Sequence, residues 1–158
     1  MPQAHTKHGR IKMSAAFSKE LKRYNHLLSE TESAYHEAAT RLGLPDSSMI
    51  VLYALCNAGT SCPLRDICRN AGVSKQTINS ALRRLQADGI IYLENADGKN
   101  KTVCLTEEGQ KLAGRTAAKI IAIENDIFAS WTKEDVKQYL TLTERYLQDF
   151  REHLRHLT

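Results

Sequence analysis

The 158 residues are 42% hydrophobic and 25% charged, the balance of a folded globular protein and of neither a disordered nor a membrane-embedded chain. At this length roughly two-thirds of the unfolded surface can be buried, so a core can form without disulfides or metals. Lys and Arg number 22 against 18 Asp and Glu, an excess too small to imply a nucleic-acid partner unless it is concentrated.

It is concentrated. Residues 1–12 and residues 60–101 each carry +3, while residues 13–59 and 102–158 carry −1 each. The basic N-terminus, MPQAHTKHGRIKMSAAF, lacks the apolar run of a secretory signal, so a cytoplasmic protein is expected. The longest uncharged stretch, Ser47 to Leu64, is interrupted by Asn57, Gly59, Thr60, Ser61 and Pro63, and no membrane span is expected. Cys56, Cys62, Cys68 and Cys104 are separated by five, five and 35 residues, which fits neither a zinc finger nor a disulfide scaffold; reduced thiols are expected.

From Ser14 to Leu42, Phe17, Leu21, Tyr24, Leu28, Thr31, Tyr35, Ala38 and Leu42 step by four and three with no Gly or Pro between. This predicts a long amphipathic helix, about 43 Å in length, stopped by Gly43 and Pro45. Thr132 and Asp135 open a second such helix, striped by Val136, Leu140, Thr143, Leu147, Phe150, Leu154 and Leu157. The two helices could pack on each other within one chain. A subunit interface is the stronger expectation, because together they offer more apolar face than one small core can cover.

Short elements lie between them. Asp46 or Ser47 is expected to cap a helix through Ala58 that Gly59 ends. Pro63 should sit in the first turn of a short helix to about Asn70, with Gly72 after it. Ser74 should cap a third helix running to Asp88 and stopping at Gly89. Ile90–Glu94 and Lys101–Leu105 read as strands around Asn95-Ala96-Asp97-Gly98, where Asp-Gly is a hairpin signal. Thr106 then caps a helix with Glu107 and Glu108 in its first turn, expected to continue unbroken to about Ser130.

Helix, Gly-containing turn, helix and hairpin, in that order, predict a winged helix-turn-helix. The third helix supplies the test. On a projection of 100° per residue, Lys75, Gln76, Asn79, Ser80 and Arg83 share an arc of about 140°, and Ile78, Ala81, Leu82 and Leu85 share the other side. Gln76 and Asn79 can pair bidentately with adenine, Lys75 and Arg83 can reach guanine or phosphate, and Ser80 is short enough for close approach. Free N–H groups near Ser74 favour a phosphate. In the hairpin, Lys99 and Lys101 flank Asn100, a basic tip suited to the neighbouring minor groove or its phosphates.

The run from Cys62 to Leu112, above all DICRNAGVSKQTINSALRRLQADGII followed by DGKNKTVCLTEEGQKL, resembles the MarR family of bacterial transcriptional regulators. The Ser-x-x-Thr helix start is present as Ser74 and Thr77, the Leu-x-x-x-Gly-Ile close as Leu85, Gly89 and Ile90, and the Leu-Thr-x-x-Gly after the wing as Leu105, Thr106 and Gly109. The long terminal helices match the family's dimerisation ends.

The resemblance implies a mainly α fold: a basic flexible tail (1–13), an N-terminal dimerisation helix (14–45), a winged helix-turn-helix DNA-binding domain with a two-stranded β wing (46–118) and C-terminal dimerisation helices (119–158). It implies a homodimer on a pseudopalindromic operator in double-stranded DNA, repressing nearby genes and released by a small-molecule effector or by thiol oxidation. The DNA contacts would be Ser74, Lys75, Gln76, Thr77, Asn79, Ser80, Arg83, Lys99, Asn100 and Lys101; Tyr24, Tyr35 and Tyr53 could line the effector pocket. Ser80 stands where many members have Arg, and the wing tip reads Asp97-Gly98-Lys99 in place of Asp-x-Arg. Lys lacks Arg's planar fork, so phosphate contact by the wing is expected rather than minor-groove reading.

Other chemistries find little support. Gly109 to Thr116 superficially matches a phosphate-binding loop, but its glycines fall inside a helix already begun. No catalytic motif occurs, and no enzymatic activity or cofactor is expected. His26, His36, His153 and His156 lack the spacing of a metal site. Cys56 and Cys68 read as core, and Cys62 and Cys104 as the more exposed thiols and therefore the candidates for redox sensing. The alternative to DNA binding is a winged-helix module that binds another protein, since fold alone does not determine function.

Overall fold

The computed structural model describes residues 18–95 and 100–157, and the chain divides into two compact units after Glu37. Helix α1 runs Lys19–Arg41. Ser18 starts it, its hydroxyl accepting the N–H of Leu21 at 3.0 Å; the expected start at Ser14 and the basic tail lie outside the described residues. Gly43, at φ 74°, turns the chain out of the helix.

In the second unit, α2 spans Asp46–Ala58 with extended Pro45 at its N-cap. The expected caps, Asp46 and Ser47, fall one and two residues inside. Proline's rigid backbone makes the turn without a side-chain hydrogen bond, and Asp46 instead places its carboxylate in the first turn, against the positive end of the helix dipole. Gly59 closes α2.

A strand that the sequence pattern does not reveal follows: β1, Ser61–Pro63. Pro63 therefore ends a strand and serves as the N-cap of α3, Leu64–Asn70, rather than lying within the helix. Next comes α4, Lys75–Ala87, started by Ser74, whose hydroxyl accepts the N–H of Thr77 at 3.1 Å. It ends in a Schellman motif: Gly89 N–H donates to Gln86 and Ile90 N–H to Leu85, at 3.1 and 2.8 Å.

Strands β2, Ile91–Asn95, and β3, Lys101–Leu105, pair antiparallel, and β1 adds to the other side of β3, giving the order β1-β3-β2. Ile91 faces Leu105 and Leu93 faces Val103. Val103 and Leu105 are buried, as the alternation expects.

Helix α5, Glu107–Arg115, begins at Thr106, whose hydroxyl accepts the N–H of Gly109 at 3.0 Å. The single helix expected from here to Ser130 is broken at Thr116 (φ −127°, ψ −91°), and α6 runs Ala117–Ser130. Helix α5 packs on β3 and α2, and α6 on α2; the chain bends between them. Thr116 is buried, and its hydroxyl donates back to the Leu112 carbonyl at 2.6 Å. The last helix, α7, spans Lys133–Leu154, with Thr132 accepting the N–H of Asp135 at 3.1 Å as its start predicts.

The core of this unit gathers Leu52 and Leu55 of α2, Ile67 of α3, Ile78, Ala81, Leu82 and Leu85 of α4, and Ile91 and Val103 of the sheet. Burial of these side chains, each stabilising by about 1.5–3 kcal/mol when it is a large aliphatic, holds α4 by one face and leaves the other outward.

Candidate nucleic-acid interface

Helix α4 carries the division of faces that its sequence predicts. Ile78, Ala81, Leu82 and Leu85 are buried, while Lys75, Gln76, Ser80 and Arg83 are exposed and Asn79 is half-buried. All five polar side chains lie on one helix about 20 Å long, which fits the major groove of B-DNA, about 12 Å wide.

At the helix start the Ser74 and Thr77 hydroxyls are 2.8 Å apart, and Ser74 Oγ also accepts the Thr77 N–H. Both hydroxyls thus serve the cap first. A cap fixed in this way holds the first-turn N–H groups in place for an anion, and the helix dipole adds a partial positive charge there.

On the wing, Lys101 pairs with Asn95 at the end of the β2–β3 ladder and is exposed, as is Asn100. Ala96, Asp97, Gly98 and Lys99 lie outside the described residues. The strands thus carry Asn100 and Lys101 away from the buried end of the ladder at Ile91 and Leu105.

The thiols are arranged otherwise than expected. Cys62 and Cys104 are buried, at 8% and 5% exposure, whereas Cys56 and Cys68 are only half-buried. The unforeseen strand β1 is the reason. It seats Cys62 opposite Val103 and makes β3 a central strand, so that Cys104 lies between Ser61 and Tyr92. Burial, and then the Asp66 carboxylate, pushes the Cys62 thiol above its ordinary value; burial and then Glu94 do the same to Cys104. Thiols raised in this way lack the thiolate character that oxidation sensing requires.

Of the three tyrosines, Tyr24 is half-buried and Tyr35 exposed. Tyr53 is half-buried on α2, and its hydroxyl donates to Glu124 Oε2 on α6. Among the described residues no group of three His, Cys, Asp or Glu could hold a metal ion, and no helix is long and apolar enough to cross a membrane.

A three-helix unit whose third helix turns a polar face outward, followed by a β hairpin, defines a winged helix-turn-helix protein. The sequence model of the MarR family matches residues 42–100, from the end of α1 through α2, α3, α4 and β2. The chain is 26% identical over 114 residues to the uncharacterized HTH-type transcriptional regulator YwoH of Bacillus subtilis, covering 72% of this chain and 82% of that one. Its fold resembles NMB1585, a MarR family regulator from Neisseria meningitidis, at a TM-score of 0.76 and 16% identity, covering 87% and 98% of the two chains. It also resembles Sco3205, a MarR family regulator from Streptomyces coelicolor solved in complex with DNA, at a TM-score of 0.64 and 17% identity, covering 85% and 89%.

Proposed function

We propose that this protein is a homodimeric repressor that reads a pseudopalindromic DNA operator by placing α4 of each copy in successive major grooves. The observation that carries the reading is the exposed polar face of α4 opposite a wholly apolar buried one. Gln76 and Asn79 supply amide pairs of the geometry that recognises adenine, Arg83 the planar fork that suits guanine, and Lys75 a cation for base or phosphate. Ser74 and Thr77 position the helix start on a phosphate, and Asn100, Lys101 and Lys99 at the wing add backbone contacts that fix register without reading sequence.

Two copies would read half-sites about one helical turn apart. The exposed apolar side chains of α7 support the pairing. Release by a small-molecule effector is the part of the proposal that comes from family likeness.

Selection from a random DNA pool, followed by titration of the selected duplex between 50 and 200 mM salt, tests the reading. Binding should weaken by about a thousandfold or more if six or more phosphates are neutralised. Lys75→Ala or Arg83→Ala should cost about 1–3 kcal/mol on the selected site. Failure to bind any duplex, or a complex indifferent to salt, would instead identify a module that binds protein.

A further inference from the structure

Helix α3 presents a feature that the recognition-helix pattern does not reach. Ile67 is buried, and Leu64 and Cys68 are half-buried beside it. Arg65 and Arg69, four residues apart, share the opposite side, their side chains 71% and 72% exposed. Asp66 stands between them. Its Oδ1 lies 3.6 Å from Arg65 Nε and 3.8 Å from Arg69 Nη1.

One carboxylate oxygen is therefore shared by two guanidinium groups, at distances that make ion pairs and not hydrogen bonds. Exposed pairs of this kind hold weakly. Each guanidinium has five N–H donors in a planar fork, and the fork matches phosphate as well as carboxylate. Asp66 thus occupies, loosely, the position that an anionic oxygen from a ligand would take.

Only Ala71, Gly72, Val73 and Ser74 separate α3 from α4, and in a helix-turn-helix the first helix crosses the sugar–phosphate backbone while the second enters the groove. We infer that Arg65 and Arg69 form a phosphate clamp beside the reading helix, and that Asp66 is a built-in competitor that sets its strength. A phosphate oxygen displaces the carboxylate when α4 seats. Because Asp66 offsets one of the two positive charges, the clamp's pull on any duplex is reduced, and the side chains of α4 decide more of the total. This inference rests on the DNA-binding reading given above and names further residues for it.

The experiment measures the binding of wild type and four variants to the selected operator and to an unrelated duplex, each across a salt series, with circular dichroism as the check on folding. Arg65→Ala and Arg69→Ala should each lower the salt slope by about two, one per protomer, and weaken both duplexes by the same factor, leaving their ratio unchanged. Arg65→Lys, which keeps the charge, should keep the slope. Asp66→Asn should tighten both duplexes by the same factor, up to about fivefold, the range of an exposed ion pair, and again leave their ratio unchanged. If the wild type binds the operator with a steep salt slope and the two alanine variants match it, the clamp is overturned and the DNA reading stands. If Asp66→Asn leaves both affinities unchanged, Asp66 is no competitor. If the wild type binds neither duplex, both readings fall.

Discussion

Gly109 lies against the backbone of Ile90 so closely that a Cβ at position 109 would come within 2.0 Å of the Ile90 carbonyl oxygen. The Thr106 hydroxyl meets the same stretch, donating to the carbonyls of Gly89 and Ile90 at 2.6 and 3.1 Å, and the Thr106 N–H donates to Ile90 at 3.0 Å. Two motifs that look unrelated in sequence, Leu85-x-x-x-Gly89-Ile90 and Leu105-Thr106-x-x-Gly109, are the two halves of one joint. It ties the end of α4 to the start of α5 and so fixes the base of the wing. Gly109→Ala should force this joint apart and cost about 3 kcal/mol in urea unfolding, at the upper end of overpacking. Gly114→Ala, later in the same helix and with open space around the added methyl, should stabilise by up to about 1 kcal/mol.

Ser48 presents the opposite situation. It lies in the first turns of α2, 1% exposed, and its hydroxyl has no hydrogen-bond partner among the described residues. A buried hydroxyl without a partner carries its desolvation penalty uncompensated. Ser48→Ala removes one atom and that penalty together. The variant should be more stable by about 1 kcal/mol in chemical denaturation with an unchanged denaturant slope. A loss of stability would mean that the hydroxyl is satisfied by a water.

What could be read beforehand, and what could not, follows from the range over which each signal acts. The starts at Ser74, Thr106 and Thr132 were legible because a cap is made within three residues, and all three hydroxyls accept the N–H that their spacing predicts. The faces of α4 were legible because one buried side imposes a 3.6-residue period. Strand β1 was not: three residues, Ser61–Pro63, are too few to show alternation, and they are a strand only because β3 lies beside them. The exposure expected for Cys62 and Cys104 failed with it. The bend at Thr116 was equally hidden, since Gly114 just before it stays helical and no Pro marks the break. The ion-pair geometry at Asp66 likewise needs coordinates.

Alkaline pH should loosen this unit in a defined order. Burial first, and then the hydrogen bond and negative charge of Glu124, raise Tyr53 above its ordinary value, with a smaller opposing effect from Asn57. Burial also raises Cys56, Cys62 and Cys104. Each group is harder to deprotonate folded than unfolded, so its contribution to stability is complete below its unfolded value and is lost as pH climbs through the folded one. Stability should therefore fall above about pH 9 as thiols titrate and further above about pH 10 as Tyr53 does. Tyr53→Phe should shrink the second fall, to which Tyr92, raised first by Cys104 and then by Glu94, also contributes, and keep the first, measured by denaturation at pH steps from 8 to 11. An unchanged profile in that variant would mean that the Tyr53–Glu124 bond does not couple α2 to α6.

The apolar side of α7 gives the last prediction. None of the described residues of this helix is buried, and Tyr139, Leu140, Tyr146, Leu147, Phe150 and Leu154 are all exposed, Phe150 to 52%. Tyr146 and Phe150 stack with ring centroids 6.1 Å apart, and Tyr139 joins Phe128 and Trp131 in a second cluster. Apolar surface on that scale along a helix of about 33 Å is unusual for a monomer and typical of a subunit interface. The intact chain should sediment as a dimer at micromolar concentration. Leu147→Glu combined with Phe150→Glu should yield a folded monomer, because these side chains contribute nothing to the core around Leu52 and Ile78. Such a monomer, keeping α4 intact, should hold a single half-site far more weakly than the dimer holds the full operator, since the second head no longer binds at the high effective concentration that linkage provides. A native chain that sediments as a monomer would remove the symmetry on which a pseudopalindromic operator depends.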